Sequence, residues 1–161
     1  AVLFKGTIRH NMQWRDKNAT DEDIWNALDI AQAKDFVEKK PDKLDEMILQ
    51  EGKNLSGGQR QRLTIARALV GEILILDDSA SALDLATDAR LRKAIHEKTS
   101  GMTVFIVSQR ISSIKSADKI IVLDDGKIAG IGTHSELYKG CEVYKEICLS
   151  QLSEKEAQAN G

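Results

Sequence analysis

The stretch that decides the fold begins at residue 55 and reads Leu55-Ser56-Gly57-Gly58-Gln59. A serine followed by two glycines, just before a helical pattern, predicts a helix N-terminus whose backbone N–H groups are uncovered. The positive end of the helix dipole lies at the same place, so the segment suits an anion such as phosphate. We therefore predict a helix that has Ser56 as its N-cap, runs through Val70 and carries a candidate phosphate-binding turn at its start.

An apolar run follows this helix and ends in two carboxylates, Ile73-Leu74-Ile75-Leu76-Asp77-Asp78. Two more β-branched apolar runs, 103–107 and 120–123, have the composition of strands buried on both faces. A helical pattern over 85–98 separates the first two runs, which predicts a βαβ unit and a parallel sheet. Because ligands bind at the carboxyl ends of parallel strands, Asp77 and Asp78 are candidate site residues.

The residues before the deciding stretch are predicted to be mainly helical. Thr20 and Asp23 have the spacing of a capping box at the start of one helix. A second, short helix over 33–39 is expected to stop before Pro41, because proline disfavours a helical residue in front of it.

The C-terminal part of the chain is predicted to contain a hairpin followed by helices. Asp125-Gly126 indicates a tight turn that leads into a strand over 127–131. Thr133 and Glu136 predict a second capping box before the closing helices. The residues from Ser153 onward are polar and are expected to fray.

Composition argues against several classes of protein. The net charge is −2 without clustered Lys or Arg, which gives no reason to expect a nucleic-acid partner. No apolar run approaches the roughly 18 residues that span a bilayer, so we expect any membrane role to come through a partner domain. Cys141 and Cys148 would lie roughly 10 Å apart on a helix, which is too far for a disulfide and fits a reducing compartment. The three histidines have no spacing that suggests a metal site.

The residues quoted above, taken in order, resemble the motifs of the ATP-binding cassette (ABC) ATPases. Leu55, Ser56, Gly57, Gly58 and Gln59 resemble the signature motif of that family. Asp77 and Asp78 resemble the end of its Walker B motif, and the segment Ser81-Ala82-Leu83-Asp84 resembles its D-loop. Asp84 is also expected to cap the helix that follows. Gln109 follows the next strand, at the position of the switch loop of the family.

The two ends of the chain resemble exporters within that family. Residues 3–9 are similar to the segment just after the Q-loop of exporters, which runs close to the coupling helices of the transmembrane domain. Residues 117–134 are similar to the C-terminal exporter pattern. The resemblance implies an α/β fold, a partial P-loop NTPase domain over 1–161. It implies a helical signature subdomain over about 1–70, a βαβ parallel-sheet core with Walker B, D-loop and switch loop over about 71–152, and a polar tail over 153–161.

The resemblance also implies a set of roles. The five signature residues would bind ATP held by a second ABC ATPase domain, and the D-loop would cross to that partner. Asp77 would hold Mg²⁺ through water, and Asp78 with Gln109 would occupy the catalytic positions. The implied partners are the second ATPase domain and a transmembrane domain. The implied location is the cytoplasmic face of the cell membrane, and the implied function is ATP hydrolysis coupled to export.

Several departures from the family pattern limit this inference. No Gly-x-x-x-x-Gly-Lys-Ser/Thr segment occurs, so we expect a C-terminal fragment that lacks Walker A and the Q-loop glutamine and is inactive by itself. Asp78 stands where hydrolytic members carry Glu, and Gln109 replaces the switch histidine. The link Val70-Gly71-Glu72 is shorter than in relatives.

The two catalytic-position changes weaken the same step, which favours the degenerate-site subunit of a heterodimeric exporter. Three alternatives stay open at this point. One is a homodimer that hydrolyses ATP slowly, and another is a non-catalytic, ATP-gated interaction module. A DNA-repair or ribosome-associated ABC protein is disfavoured by the exporter-like ends of the chain.

Overall fold

The computed structural model describes residues 2–71, 73–77, 83–99 and 101–159, with only the backbone described for Leu85 and for 152–159. The chain forms two compact units, residues 1–107 and 108–161. The division into a helical part up to about residue 70 and a sheet core after it stays a prediction.

The first unit contains five helices and two small sheets among its described residues. Its helices are α1 Ile8–Gln13, α2 Asp21–Ile30, α3 Lys34–Glu38, α4 Gly57–Leu69 and α5 Leu85–Lys98. Its strands are β1 Gly6–Thr7, β2 Met47–Ile48, β3 Ile73–Asp77 and β4 Thr103–Val107, with short 3₁₀ turns at Lys43–Asp45 and Gln50–Gly52. Strands β1 and β2 pair antiparallel, and β3 and β4 pair parallel.

The predicted helix starts in the first unit are confirmed. The Thr20 side chain accepts a hydrogen bond from the backbone N–H of Asp23, whose carboxylate accepts one from the backbone of Thr20, so α2 begins with a full capping box. Ser56 and Gln59 form the same arrangement at the start of α4. These boxes satisfy N–H groups that a helix end otherwise leaves without partners.

The core of the first unit lies where α4 packs against α2 and β3. Leu28 of α2, Leu63 and Ala66 of α4 and Leu74 of β3 are all fully buried in one apolar cluster. Burying a leucine side chain stabilises a fold by about 1.5–3 kcal/mol. These packing contacts therefore set the position of α4 and contribute more to its stability than helix propensity does.

The parallel pairing of β3 and β4 confirms the predicted βαβ unit. The register runs from Ile73 opposite Thr103 to Asp77 opposite Val107. The expectation that these strands are buried on both faces is wrong, because Ile75 and Phe105 are 63% and 55% exposed. Alternate side chains of a strand face opposite ways, and the helices of this unit cover only one face.

The second unit is a hairpin packed on helices. It contains α6 Ile111–Ile114, β5 Ile120–Asp124, β6 Lys127–Gly132, α7 His134–Gly140 and α8 Glu142–Ala159. The predicted hairpin is confirmed, since β5 and β6 pair antiparallel around Asp125 and Gly126, both of which have positive φ as this turn type requires.

The core of the second unit forms between the hairpin and the last two helices. Val122, Leu137, Tyr144 and Cys148 are buried there. The Tyr144 hydroxyl lies 2.9 Å from Nδ1 of His134.

Helix α8 continues to Ala159, through most of the polar segment for which the sequence predicts fraying. The Glu, Lys, Ala and Gln residues of that segment are good helix formers.

No helix in the described part of the chain is both long and apolar enough to cross a membrane. Nothing in the structure explains why the link between α4 and β3 is short, and Glu72 of that link lies outside the described residues.

The exposed face of the β3–β4 sheet generates a first prediction. We expect the chain, taken alone, to self-associate, because apolar side chains on one sheet face are open to solvent. Replacing Ile75→Lys and Phe105→Lys together should shift sedimentation velocity profiles toward monomer. Leu49→Lys is the control, because Leu49 is 50% exposed but lies outside this sheet. A chain that stays monomeric at all concentrations without substitution would contradict the prediction.

The capping box of α7 generates a prediction about acid stability. Hydrogen bonds from the backbone N–H and then the hydroxyl of Thr133 hold the pKa of the Glu136 carboxyl below its ordinary value. A lowered folded-state pKa stabilises the fold above the ordinary glutamate pKa, and this contribution is lost as the pH falls through the folded value. Glu136→Gln keeps a capping box without a titrating group.

We therefore expect Glu136→Gln to lose less stability than the unsubstituted chain between pH 7 and pH 3. The urea midpoint of unfolding at both pH values measures this difference. Glu136→Ala removes the box and should be destabilised at both. Equal acid sensitivity of the Gln variant and the unsubstituted chain would refute the assignment.

Candidate functional site

With respect to the described residues, the first turn of α4 leaves hydrogen-bond donors free for a ligand. The Ser56 Oγ accepts a hydrogen bond from the backbone N–H of Gln59 at 3.2 Å, and the Gln59 Oε1 accepts one from the backbone N–H of Ser56 at 3.0 Å. The Ser56 hydroxyl proton is still available to donate. The N–H groups of Gly57 and Gly58 belong to the first turn, where a helix supplies no acceptor.

The charge around this turn favours an anion. Helix α2 carries three acidic residues in its first turn, whereas the first turn of α4 has none. Arg60 and Arg62 follow in the next turn and add positive charge. Ser56 and Gly57 are exposed, and a Cβ built at Gly57 would meet only Arg60 Nη2, at 3.9 Å. The arrangement therefore fits a phosphate group.

Arg60 forms two hydrogen bonds to the loop that leads into this turn. Its Nη1 donates to the carbonyl of Leu55 at 2.8 Å and to the carbonyl of Gly52 at 3.4 Å. Gly52 has a φ of +68°, and a Cβ there would lie 2.8 Å from Cδ of Arg60. Only glycine fits this position without displacing the arginine. The sequence analysis did not predict these two hydrogen bonds. Gly52, eight residues before Arg60, was the signal in the sequence that could have indicated them.

The end of the candidate D-loop caps the next helix. The Asp84 carboxylate accepts hydrogen bonds from the Thr87 backbone N–H at 2.9 Å and the Thr87 hydroxyl at 2.7 Å. These bonds, the hydroxyl first, hold the pKa of Asp84 below its usual value. The predicted N-cap is confirmed, and Leu83 beside it packs against the core. Ser81 and Ala82 lie outside the described residues.

Asp77 is placed at the edge of the sheet where ligands bind. It is the last residue of β3 and lies opposite Val107, the last residue of β4. Its side chain is exposed. The described residues contain no group of three or more His, Cys, Asp or Glu side chains that could hold a metal ion. One carboxylate fits Mg²⁺, which is commonly bound by one or two protein carboxylates together with substrate phosphates and water.

Asp78 and Gln109 are the two candidates for the catalytic positions. Asp78 lies outside the described residues. Gln109 belongs to the second unit, where its backbone carbonyl accepts a hydrogen bond from Gln151 Nε2 at 2.6 Å. Gln109 itself is exposed, so its amide group is open to a ligand. Residues 55–59, which we call the signature turn, and the start of α5 therefore both belong to the first unit. Gln109 belongs to the second unit.

Comparison with known proteins gives a consistent family. The family model described as ABC transporter matches residues 2–81. An uncharacterized ABC transporter ATP-binding protein of Bacillus subtilis is 43% identical over 98% of this chain and 28% of that protein. A multidrug resistance ABC transporter ATP-binding and permease protein of Lactococcus lactis is 38% identical over 95% of the chain and 26% of that protein.

A solved structure of a bacterial Atm1-family ABC exporter with ATP bound also matches. It superimposes with a TM-score of 0.84 at 33% identity, over 94% of this chain and 27% of that one. The chain thus spans about a quarter of the length of the relatives it matches. The signature turn, the parallel sheet that ends in Asp77 and these matches together show that the chain belongs to the ATP-binding domains of the ABC transporter family, of the exporter type.

Proposed function

We propose that this chain forms part of the ATPase of an ABC exporter and that its signature turn binds the γ-phosphate of an ATP held by a second ABC ATPase domain. The first turn of α4 carries this proposal, because it combines free donors, exposure and the absence of acidic side chains. The matching Atm1-family exporter was solved with ATP bound, which supports the choice of ligand.

The five signature residues have distinct tasks in this proposal. The N–H groups of Gly57 and Gly58 and the hydroxyl of Ser56 donate to phosphate oxygens. Gln59 holds Ser56 in place through the capping box. Leu55 is buried and anchors the turn to the core. Donors that are fixed before the ligand arrives lose little conformational freedom on binding.

A second set of residues would serve this chain's own nucleotide site. Asp77 orients Mg²⁺ through water, and the ion supplies charge stabilisation at the phosphates when it is bound. Asp78 is one methylene shorter than the glutamate of hydrolytic members. A misplacement of about 1 Å can cost on the order of 100-fold in rate. Gln109 can hydrogen-bond a phosphate but cannot take up a proton as histidine does.

These two substitutions make this chain's own site slow, and we infer that it is the degenerate-site subunit of a heterodimer. Its partners are a second ABC ATPase domain and a transmembrane domain, and it acts at the cytoplasmic face of the cell membrane. The D-loop, Ser81 to Asp84, extends toward the partner ATPase domain. The chain taken alone does not hydrolyse ATP, because a phosphate loop supplies most contacts to a nucleotide and none is present in this sequence.

Ser56→Ala in the natural full-length protein tests the signature role. We expect steady-state ATP turnover of the assembled transporter to fall on the order of 100-fold, because a donor to the phosphate is lost at the reacting group. Thr20→Ala is the matched control, since it removes the other capping box of the same unit. Each substitution costs about 1 kcal/mol of cap stability. Turnover that falls equally in both variants would refute a signature role for Ser56.

Restoring the hydrolytic residues tests the degenerate site. We expect Asp78→Glu with Gln109→His to raise ATP turnover at this chain's own site by on the order of 100-fold. The measurement is ATP turnover of the full-length protein, first alone and then mixed with its neighbouring half-transporter. Fast turnover by the unsubstituted protein alone would contradict the heterodimer and favour the homodimer. Transport that continues without any turnover would favour a non-catalytic, ATP-gated module.

A further inference from the structure

Arg62 of α4 joins two backbone carbonyls that lie far apart in the sequence. Its Nη1 donates to the carbonyl of Gln32 at 2.7 Å, and its Nε donates to the carbonyl of Gly58 at 3.3 Å. Gly58 belongs to the signature turn, whereas Gln32 lies between α2 and α3. The guanidinium group thus connects the signature turn to a turn of the neighbouring helices.

The turn at Gln32 presents its carbonyl in a fixed direction. Gln32 follows the C-cap residue Ala31 and has a φ of +58°, a conformation that non-glycine residues rarely adopt. Both its backbone N–H and its side-chain Nε2 donate to the carbonyl of Asp29, at 3.0 and 3.2 Å. The N–H of Ala33 donates to the carbonyl of Leu28 at 2.8 Å. The carbonyl of Gln32, to which Arg62 donates, therefore belongs to a turn that is held by several hydrogen bonds.

The surroundings of Arg62 hold its guanidinium group in one place. The ring of Phe36 lies 5.0 Å from its Cζ, within the range of a cation–π contact. Burial lowers the pKa of Arg62, which the nearby charge of Asp84 partly offsets. Among the described residues no carboxylate lies within ion-pair distance of it. Carbonyl groups and an aromatic ring therefore provide its partners.

We propose that Arg62 is a positioning residue for the signature turn, which it holds to the α2–α3 turn through the carbonyls of Gly58 and Gln32. The inference rests on the proposed function, because it concerns how the turn is aimed at a nucleotide. Arg62 acts through the peptide groups of the turn and not by contact with the nucleotide. A planar guanidinium can serve two carbonyls at fixed angles, whereas a lysine ammonium is a point charge on a flexible stem.

Arg67 of the same helix offers a matched control. Its Nη2 donates to the carbonyl of Val2 at 2.9 Å, and its Cζ lies 5.4 Å from the ring of Phe4. Burial lowers its pKa as well. Arg67 therefore has the same kinds of partners as Arg62, but it is located near the C-terminal end of α4, whereas the signature turn is at the N-terminal end.

The test compares Arg62→Lys with Arg67→Lys in the natural full-length protein assembled with its partner half-transporter. Both kcat and KM for ATP are measured, with thermal melting as a check on folding. In the proposed function, the signature turn binds a nucleotide that the partner domain already holds. A misplaced turn therefore raises the ATP concentration that is required for half-maximal turnover. We expect KM to rise about five- to tenfold in Arg62→Lys, as for the loss of one hydrogen bond.

Arg67→Lys should leave KM unchanged even if it lowers the melting temperature. Loss of folded protein alone reduces the maximal rate but does not move KM. Phe36→Leu, which removes the ring next to Arg62 while keeping both carbonyl bonds, should raise KM by a smaller factor. This variant keeps the proposal testable if Arg62→Lys folds poorly.

An unchanged KM in both Arg62→Lys and Phe36→Leu, while Ser56→Ala impairs turnover, would overturn the positioning role and leave the proposed function standing. A KM that rises equally in Arg62→Lys and Arg67→Lys would also overturn it. If Ser56→Ala has no effect, the proposed function fails and the role of Arg62 fails with it.

Discussion

The packing of α4 between α2 and β3 is the constraint on which the rest of the first unit depends. Leu63 and Ala66 of this helix are fully buried, so its axis cannot shift without opening the core. The signature turn lies at one end of the helix, and the chain enters β3 soon after the other end. One packing arrangement thus positions both the proposed phosphate-binding turn and the strand that carries Asp77.

Three arginines along α4 add hydrogen bonds to the chain segments that surround this packed helix. Arg60 bonds to the carbonyl of Leu55 in the preceding loop, Arg62 to that of Gln32 between α2 and α3, and Arg67 to that of Val2 near the start of the chain. Charge-assisted hydrogen bonds to carbonyls are directional. Through these arginines, α4 forms hydrogen bonds to three segments that are separate in the sequence.

The candidate catalytic residues belong to other elements than the proposed binding turn. Asp77 is the last residue of β3, and its place at the carboxyl end of the sheet is a consequence of parallel pairing with β4. Gln109 belongs to the second unit, whose own core is a hairpin packed on α7 and α8. The sheet face that bears Ile75 and Phe105 is apolar and exposed, which distinguishes this chain from a fully covered α/β domain.

Local signals in the sequence were sufficient for most secondary structure and for the candidate site. The capping boxes at Thr20, Ser56 and Thr133 are set by residues three apart, and the hairpin at Asp125-Gly126 is set by adjacent residues. The signature motif was legible for the same reason, since all five residues lie in one turn. Such features depend on short-range hydrogen bonds that neighbouring residues alone determine.

Only the tertiary structure decided the features that join distant segments. Which face of β3 is covered depends on where the helices pack, so an apolar run alone gave the wrong expectation for Ile75. The bond between Arg62 and Gln32 spans thirty residues and requires a positive φ at a glutamine, which no local pattern indicates. The sequence by itself determined the helix ends and the chemical groups of the site. Long-range packing decided how those groups are held, because a side chain and a carbonyl meet only after the helices that carry them have docked.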